Sequence, residues 1–243
     1  MRPTYVRHKF SLLGLQIAVL LLMSWVGADA QHYKWARRNN PEFDQRKISY
    51  GFMIGIHTSA YQIKYSDKFV TQSFDTVQSV QGSFSPGFSL GFLVNLRLNE
   101  VLDLRIMPKA GFYTHKLTYY FTDNTTRSQQ IETTMVEVPL LLKYKSMRRG
   151  NVRMYMLGGI TPGIEASGKN DALSSTESLS VKRGNVSLDA GIGFDFYFPL
   201  FKFSQELRFS RGIVDILGSQ PSSYSEPLKS INTNTISVYF IFQ

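Results

Sequence analysis

The sequence predicts an all-β fold, an eight-stranded antiparallel up-and-down transmembrane β-barrel. Three observations predict it. Apolar and polar residues alternate with a period of two in eight segments, which is the pattern of β-strands. The connections between these segments alternate between short and long. An N-terminal export signal precedes them, as in a protein that leaves the cytoplasm.

The first thirty residues have the pattern of a cleaved secretory signal peptide. A cationic start is followed by an apolar stretch over residues 10–26, and Ala28 and Ala30 occupy the small-residue positions of a cleavage site. The alternative is a single membrane anchor, because the stretch is nearly long enough to span a bilayer. No cationic stop-transfer cluster follows directly, which favours cleavage. The predicted organisation is a signal peptide over residues 1–30, a polar periplasmic lead-in segment over 31–47 and the barrel over 48–243.

Each predicted strand has one apolar face, which is expected to point away from the barrel axis. The first four strands and their apolar residues are 48–57 with Tyr50, Phe52, Ile54 and Ile56; 87–98 with Phe88, Leu90, Phe92, Val94 and Leu96; 101–112 with Leu102, Leu104, Ile106, Ala110 and Phe112; and 134–145 with Val136, Val138, Leu140, Leu142 and Tyr144. The last four are 152–160 with Val152, Met154, Met156 and Ile160; 186–198 with Leu188, Ala190, Ile192, Phe194, Phe196 and Phe198; 201–212 with Phe203, Leu207 and Phe209; and 232–242 with Ile236, Val238, Phe240 and Phe242.

The links between the predicted strands differ in length in a regular way. Short links are predicted around Asn99, Arg148–Gly150 and Pro199–Phe201, and long links over residues 58–83, 115–131, 165–183 and 213–231. Odd and even links of an up-and-down sheet emerge at opposite ends of its strands. We therefore expect all long links at one rim and all short turns at the other.

The opposite faces of the strands decide between a membrane barrel and a soluble lipocalin-like barrel. These inner faces hold twelve charged residues: Arg97, Asp103, Arg105, Lys109, Glu137, Lys143, Arg153, Asp189, Asp195, Lys202, Glu206 and Arg208. Burying twelve charges in a dry soluble core is implausible, whereas lipid contact requires the uninterrupted apolar faces. Because eight strands leave an interior only wide enough for side chains, we expect a structural network of charge pairs rather than a pore. Glycines at 51, 55, 91, 159, 191 and 193 are expected to leave space for the Arg and Lys side chains.

No residues at a telling spacing predict an enzyme, a metal site or a cofactor. His57 and His115 are expected near the loop-side ends of their strands, but no serine near them has an acidic partner or an elbow motif. The chain has no cysteine, which excludes a thiolate zinc site and a disulfide scaffold. Its formal net charge of +9 is consistent with attraction to anionic lipopolysaccharide, and no nucleic-acid partner is predicted.

Four segments carry a resemblance to a known family. The segments are VEVPLLLKYK (136–145), LGGITPGIEASG (157–168), DAGIGFDFYF (189–198) and SQELRFSRGIVDIL (204–217). They resemble the PorT family, also called SprT, of Bacteroidetes outer-membrane proteins, over the chain from about residue 48 to the C-terminus. The family-typical positions are Glu137, Pro139, Lys143, Gly159, Asp195, Glu206 and Arg208.

The resemblance implies a non-enzymatic component of the type IX secretion system in the outer membrane. This system exports proteins with a C-terminal sorting domain and, in gliding species, adhesins. Both chain termini would be periplasmic, and the partners would be other secretion components, lipid and lipopolysaccharide. Two alternatives remain: a lipid-modifying enzyme that uses His57 and His115, and a structural or adhesion barrel whose outer loops bind surface ligands.

Overall fold

The computed structural model describes residues 39–66, 77–123, 125–166, 182–218 and 228–243. The predicted signal peptide and residues 31–38 of the lead-in segment lie outside these ranges. Within them, the secondary structure is β-strand apart from one short 3-10 turn, Phe43–Gln45. No helix in the described ranges is long and apolar enough to cross a membrane.

Eleven strands are present where the sequence predicted eight. They are β1 (Ile48–Tyr65), β2 (Val77–Ser83), β3 (Ser85–Arg97), β4 (Leu102–Ile106), β5 (Lys109–Phe121), β6 (Thr126–Glu137), β7 (Leu140–Lys145), β8 (Val152–Glu165), β9 (Gly184–Tyr197), β10 (Lys202–Gly212) and β11 (Leu228–Phe242). The difference arises because three long strands are each broken into two by one or two residues. The breaks lie between β2 and β3, between β4 and β5, and between β6 and β7.

Proline explains two of these interruptions. Pro108 lies between β4 and β5, and Pro139 lies between β6 and β7. Proline has no N–H group and therefore leaves a gap in a ladder of hydrogen bonds. The neighbouring backbone bridges each gap, since the Phe92 N–H donates to the Pro108 carbonyl and the Met107 N–H to the Pro139 carbonyl, both at 3.0 Å. Each interrupted pair of strands thus continues in one direction across the sheet.

The strand pairings return to their starting point. The order β1, β3, β5, β6, β8, β9, β10, β11 and back to β1 is joined at every step by antiparallel pairing, with β4 and β7 completing the ring between β3 and β8. β2 extends the sheet beside β5. The strands of the ring are paired on both sides, and β2 is paired with β5 alone.

The two ends of this ring differ. The turn end carries the short links 98–101, 146–151 and 198–201, at the predicted places. The loop end carries the links 66–76, 122–125, 166–183 and 213–227. The prediction of a long link over residues 115–131 was wrong, because β5 and β6 run through most of it and are joined by residues 122–125. The link predicted over 58–83 is also shorter, since β1 reaches Tyr65 and β2 begins at Val77.

Along β5, the polar and the apolar residues change places between the inward and the outward face. Near the turn end the outward residues are apolar and exposed, as the sequence predicted, with Phe52 50% and Ile56 57% exposed. Near the loop end of β5 the outward residue Lys116 is polar and exposed, while its inward neighbour Leu117 is fully buried. On β8 the outward face stays apolar to the loop end, since Ile164 is exposed there.

The interior therefore has two parts. Near the turn end, the charged interior buries ion pairs together with a cluster of eight apolar and aromatic side chains that includes Met53, Leu93 and Met107. Near the loop end, an apolar interior lies on the side of β1, β2, β5 and β6.

The apolar interior is a cluster of eight buried side chains: Tyr61, Val80, Leu117, Tyr119, Ile131, Ile216, Leu228 and Ile231. Most of them come from the loop-side parts of β1, β2, β5, β6 and β11. Ile216 follows β10 and turns inward, where its N–H donates to the Ile231 carbonyl at 3.1 Å. This segment covers the apolar interior from the β10 side.

Candidate functional site

The charged interior is centred on Glu206 of β10. Its carboxylate accepts a hydrogen bond from Arg105 at 2.7 Å, another from the Tyr155 hydroxyl at 3.0 Å, and pairs with Arg208. The side chains of Arg105, Glu206 and Arg208 have no exposed surface. Two guanidinium groups on one carboxylate give the cluster an excess positive charge, which Asp189 offsets at 3.7 Å from Arg208.

A second pair joins β7 to β9. The Lys143 ammonium donates to both carboxylate oxygens of Asp195, at 2.7 and 3.0 Å, and the Ser204 hydroxyl donates to the same carboxylate at 2.6 Å. Lys143 also lies over the Tyr155 ring, 3.6 Å from its centroid. The shared tyrosine connects this pair to the Glu206 cluster, because its hydroxyl contacts Glu206.

A third pair lies farther from the turn end. The Lys109 ammonium is 2.6 Å from Glu137 and donates to the Tyr239 hydroxyl at 3.1 Å. The Tyr113 hydroxyl donates to Glu137 at 2.7 Å. Each of the two charges therefore has a tyrosine partner in addition to its counter-ion, which is the condition under which buried ion pairs are tolerated.

At the turn end the predicted charges have other partners. Asp103 pairs with Lys145 at 2.5 Å, and Arg153 pairs at 3.0 Å with Asp44, which precedes the first strand. Arg97 donates from Nε to the Asn99 carbonyl at 3.3 Å and is half-buried. Lys202 is buried and has no carboxylate within ion-pair distance among the described residues. The structure thus brings ten of the twelve predicted residues into ion pairs, and leaves Arg97 and Lys202 outside them.

Residues 39–46 of the lead-in segment form a cap on the turn end. Phe43 is 6% exposed and its ring meets the Tyr197 ring edge-on, with the centroids 6.2 Å apart. Asp44 accepts from the Tyr197 hydroxyl at 2.7 Å and lies 3.5 Å from Arg148. Arg148 also donates to the Asn39 carbonyl and stacks over Tyr197 at 3.7 Å. The segment therefore packs one apolar side chain against the turn end and supplies charge partners to residues of the barrel.

Sequence reasoning missed several partners of the network. Lys145 has the same parity as Lys143, so the period of two would have found it. The tyrosines Tyr113 and Tyr155 also lie on inward faces, but their alternation gives no sign that their hydroxyls contact carboxylates. Asp44 lies before the first strand, where no periodicity applies, and its pairing follows from the folding of the cap.

Two glycines make room for tyrosine rather than for arginine or lysine. A methyl group added at Gly193 would collide with the Tyr155 ring, and one added at Gly55 would collide with the Tyr239 ring. A methyl group added at Gly91 would meet the Pro108 carbonyl and the Cα and Cβ of Lys109. The prediction that glycines leave space for basic side chains is therefore incomplete, because the tyrosines that hold the ion pairs need space as well.

The two histidines lie inside the ring and not at its rim. The His57 ring stacks on Tyr113 with centroids 4.3 Å apart, and the His115 ring stacks on Tyr61 at 4.0 Å. The buried Ser59 hydroxyl is 3.5 Å from His115 Nδ1, a long hydrogen bond. Among the described residues, neither histidine is held by a carboxylate, as a catalytic triad requires. In that part of the chain, His, Asp and Glu residues also form no group of three that could hold a metal ion.

The fold and the interior define a class: an antiparallel, all-β protein with a lipid-compatible outer face and a charged core. Residues 29–218 match the family described as outer membrane protein beta-barrel domain. The chain belongs to this family, which places it in the outer membrane with an antiparallel β-barrel fold of eleven strands.

Comparison with solved structures finds bacterial proteins of low sequence identity. The Neisserial surface protein A shares 11% identity at a TM-score of 0.42, with 81% of this chain and 98% of that chain covered. OprG from Pseudomonas aeruginosa shares 12% at 0.43, with 79% and 93% covered. Ail, the attachment invasion locus protein of Yersinia pestis, shares 14% at 0.34, with 79% and 96% covered. No curated protein matches the sequence.

Proposed function

We propose that the chain is a non-enzymatic outer-membrane component of a type IX secretion system, and that it acts through protein contacts. In this proposal the eleven strands cross the membrane as eight, because each interrupted pair runs on as one strand. The turn end and both termini face the periplasm, and the loop end faces the outside. Lipid and lipopolysaccharide contact the outer face.

The observation that argues against a pore is the filled interior around Glu206. Arg105, Glu206 and Arg208 cross the centre of the ring without exposed side-chain surface, and Lys143 and Asp195 fill the space beside them. A solute would have to break several buried ion pairs to pass, which is costly. Support for the secretion role comes from the strand motifs that resemble the PorT family. A scaffold whose interior is filled around Glu206, and which carries long links at one end, is suited to binding other proteins.

Deletion of the gene in its natural host tests the proposal. Cargo with a C-terminal sorting domain should then accumulate in the periplasm, and a plasmid copy should restore its export. Normal export by the deletion strain would contradict the secretion role. A strain that exports cargo normally but no longer binds a surface ligand would assign the protein to adhesion instead.

The alternative of a lipid-modifying enzyme is tested by His57→Ala and His115→Ala. Because both rings are buried against tyrosines and lack a carboxylate partner among the described residues, we expect export to survive in any variant that folds. Loss of a lipid modification in a folded variant, seen by mass spectrometry of outer-membrane lipid, would favour the enzyme.

A further inference from the structure

A small pocket opens at the turn end beside the cap. Its free space is about 310 Å³, including the part open to solvent. Phe43 of the cap forms one wall, Lys202 lies at the inner side, and Arg46 and Arg97 also line it. Lys145 and three carboxylates, Asp44, Asp103 and Asp195, complete the charged lining.

These three carboxylates are already committed to other cations. The pairs are Asp103 with Lys145 at 2.5 Å, Asp195 with Lys143 at 2.7 Å, and Asp44 with Arg153 at 3.0 Å and Arg148 at 3.5 Å. Each partner cation balances the carboxylate that it contacts. The charges of the three remaining cations, Lys202, Arg46 and Arg97, are therefore left in excess around the pocket.

Lys202 is the most deeply buried of the three cations. The residue is only 4% exposed, and its ammonium lies 4.4 Å from the centroid of the Phe43 ring. Among the described residues, nothing accepts a hydrogen bond from this ammonium and no carboxylate pairs with it. The ammonium nitrogen keeps some exposed surface and faces the pocket, where the cation–π contact does not satisfy its three N–H donors.

The two arginines line the more exposed part of the pocket. Arg46 is exposed, and its guanidinium carbon lies 5.3 Å from the Phe43 centroid. Arg97 uses only Nε, in its bond to the Asn99 carbonyl at 3.3 Å. The terminal nitrogens of both guanidinium groups remain available for the forked contact that arginine makes with oxyanions.

We infer that this pocket binds a phosphate-type oxyanion, which accepts from the Lys202 ammonium on the inside and from Arg97 and Arg46 at the mouth. Three cations around one site suit a ligand with close to two negative charges and several acceptor oxygens, which a phosphate group provides. The phosphate can be free in solution or belong to a lipid headgroup. The inference does not depend on the secretion role.

Phosphorus NMR of inorganic phosphate with the full chain, folded in a phosphorus-free detergent, tests the site. Saturable broadening of the phosphate signal is expected. Lys202→Gln should weaken the affinity by about tenfold or more, because it removes a charged hydrogen bond from a buried site. Lys64→Gln is the matched control, since Lys64 is exposed at the end of β1 near the loop end. It should leave the affinity unchanged.

Folding of each variant is checked by its mobility on an unheated gel. If Lys202→Gln does not fold, the double variant Arg46→Gln, Arg97→Gln decides, because both side chains lie at the mouth. Added phosphatidylglycerol distinguishes the sources: displacement of inorganic phosphate shows that a lipid headgroup reaches the site, and no displacement shows a site for free oxyanions. Absence of saturable binding, or equal binding by the control and the pocket variants, would overturn the inference.

Discussion

The charged interior near the turn end buries ion pairs beside apolar side chains, whereas the apolar interior near the loop end is a cluster of apolar and aromatic side chains without an ion pair. On β5, Lys109 points inward and Phe112 outward near the turn end. Eight residues beyond Lys109, Leu117 points inward and Lys116 outward. The alternation is unbroken, and only the assignment of polar and apolar residues to the two faces is exchanged.

The exchange of polar and apolar residues between the two faces of β5 indicates where the membrane ends. A strand surrounded by hydrocarbon gains nothing from hiding apolar side chains, so its interior is held by ion pairs and hydrogen bonds. A strand surrounded by water gains from burying them, as any soluble sheet does. We therefore expect lipid around the turn-end half, and water around the loop-side parts of β1, β2, β5, β6 and β11 that enclose the apolar interior.

The largest effect is expected from Glu206→Ala, which breaks the charged interior at its centre. The change leaves Arg105 and Arg208 without their shared counter-ion, and an uncompensated buried charge costs about 3–5 kcal/mol. Urea unfolding in lipid vesicles, followed by circular dichroism, measures the free energy of unfolding. Glu132→Ala on the exposed side of β6 is the control and should change it by less than about 0.5 kcal/mol. Equal losses would show that the Glu206 cluster contributes nothing special.

Leu117→Ala should weaken the apolar interior nearly as much. Leu117 is fully buried, and truncation of such a leucine costs about 2–5 kcal/mol. Thr118→Ala, at the outward-facing neighbour, should cost well under about 1 kcal/mol. The same urea titration compares the two. A loss at Thr118 as large as at Leu117 would mean that the faces are wrongly assigned.

Placing a lysine on the outer face separates the two halves directly. Ile54→Lys puts a charge into the apolar band, with an expected cost of about 2–4 kcal/mol if the site is near the bilayer midplane. Thr118→Lys adds the same charge on the loop side, where about 0–1 kcal/mol is expected because water surrounds it. Folding yield into vesicles and urea unfolding report both. Two equal costs would place both positions in the same environment.

The smallest effect is expected from Gly193→Ala. The added methyl group meets the Tyr155 ring, which holds both Glu206 and Lys143, so the ring must move at a cost of about 1–3 kcal/mol. Gly184→Ala is a matched control, because nothing lies within 4 Å of the added methyl group there. If the two alanine variants are equally stable, Tyr155 is not fixed in the place described.

Much of the fold follows from the sequence because period-two alternation is a strong local signal. The turn-end parts of the strands and the short turns around Asn99 and Arg148–Gly150 lie where the alternation predicts them. The loop-side parts of β1, β5 and β6 were missed for a physical reason. A search for apolar residues on the outer face stops where that face meets water, although the strand goes on with the faces exchanged.

The site is less predictable than the strands. Inward parity identifies Arg105, Glu206 and Asp195 as interior charges, but the choice of partners depends on register and tilt, which bring residues 52 and 101 positions apart into contact. Proline at 108 and 139 signals the breaks in the ladder only after the strands are known. The cap carries no periodic signal, so the burial of Phe43 follows from tertiary packing alone.

Spin labels along the outer face of β5 test the position of the membrane most directly. The chain has no cysteine, so single variants Ala110→Cys, Phe112→Cys, Lys116→Cys and Thr118→Cys can each be labelled in vesicles. We predict that oxygen reaches the labels at 110 and 112 and that a polar nickel reagent reaches those at 116 and 118. Oxygen-rich, reagent-free surroundings at all four positions, or water at 110, would contradict the division into a membrane half and a water-exposed half.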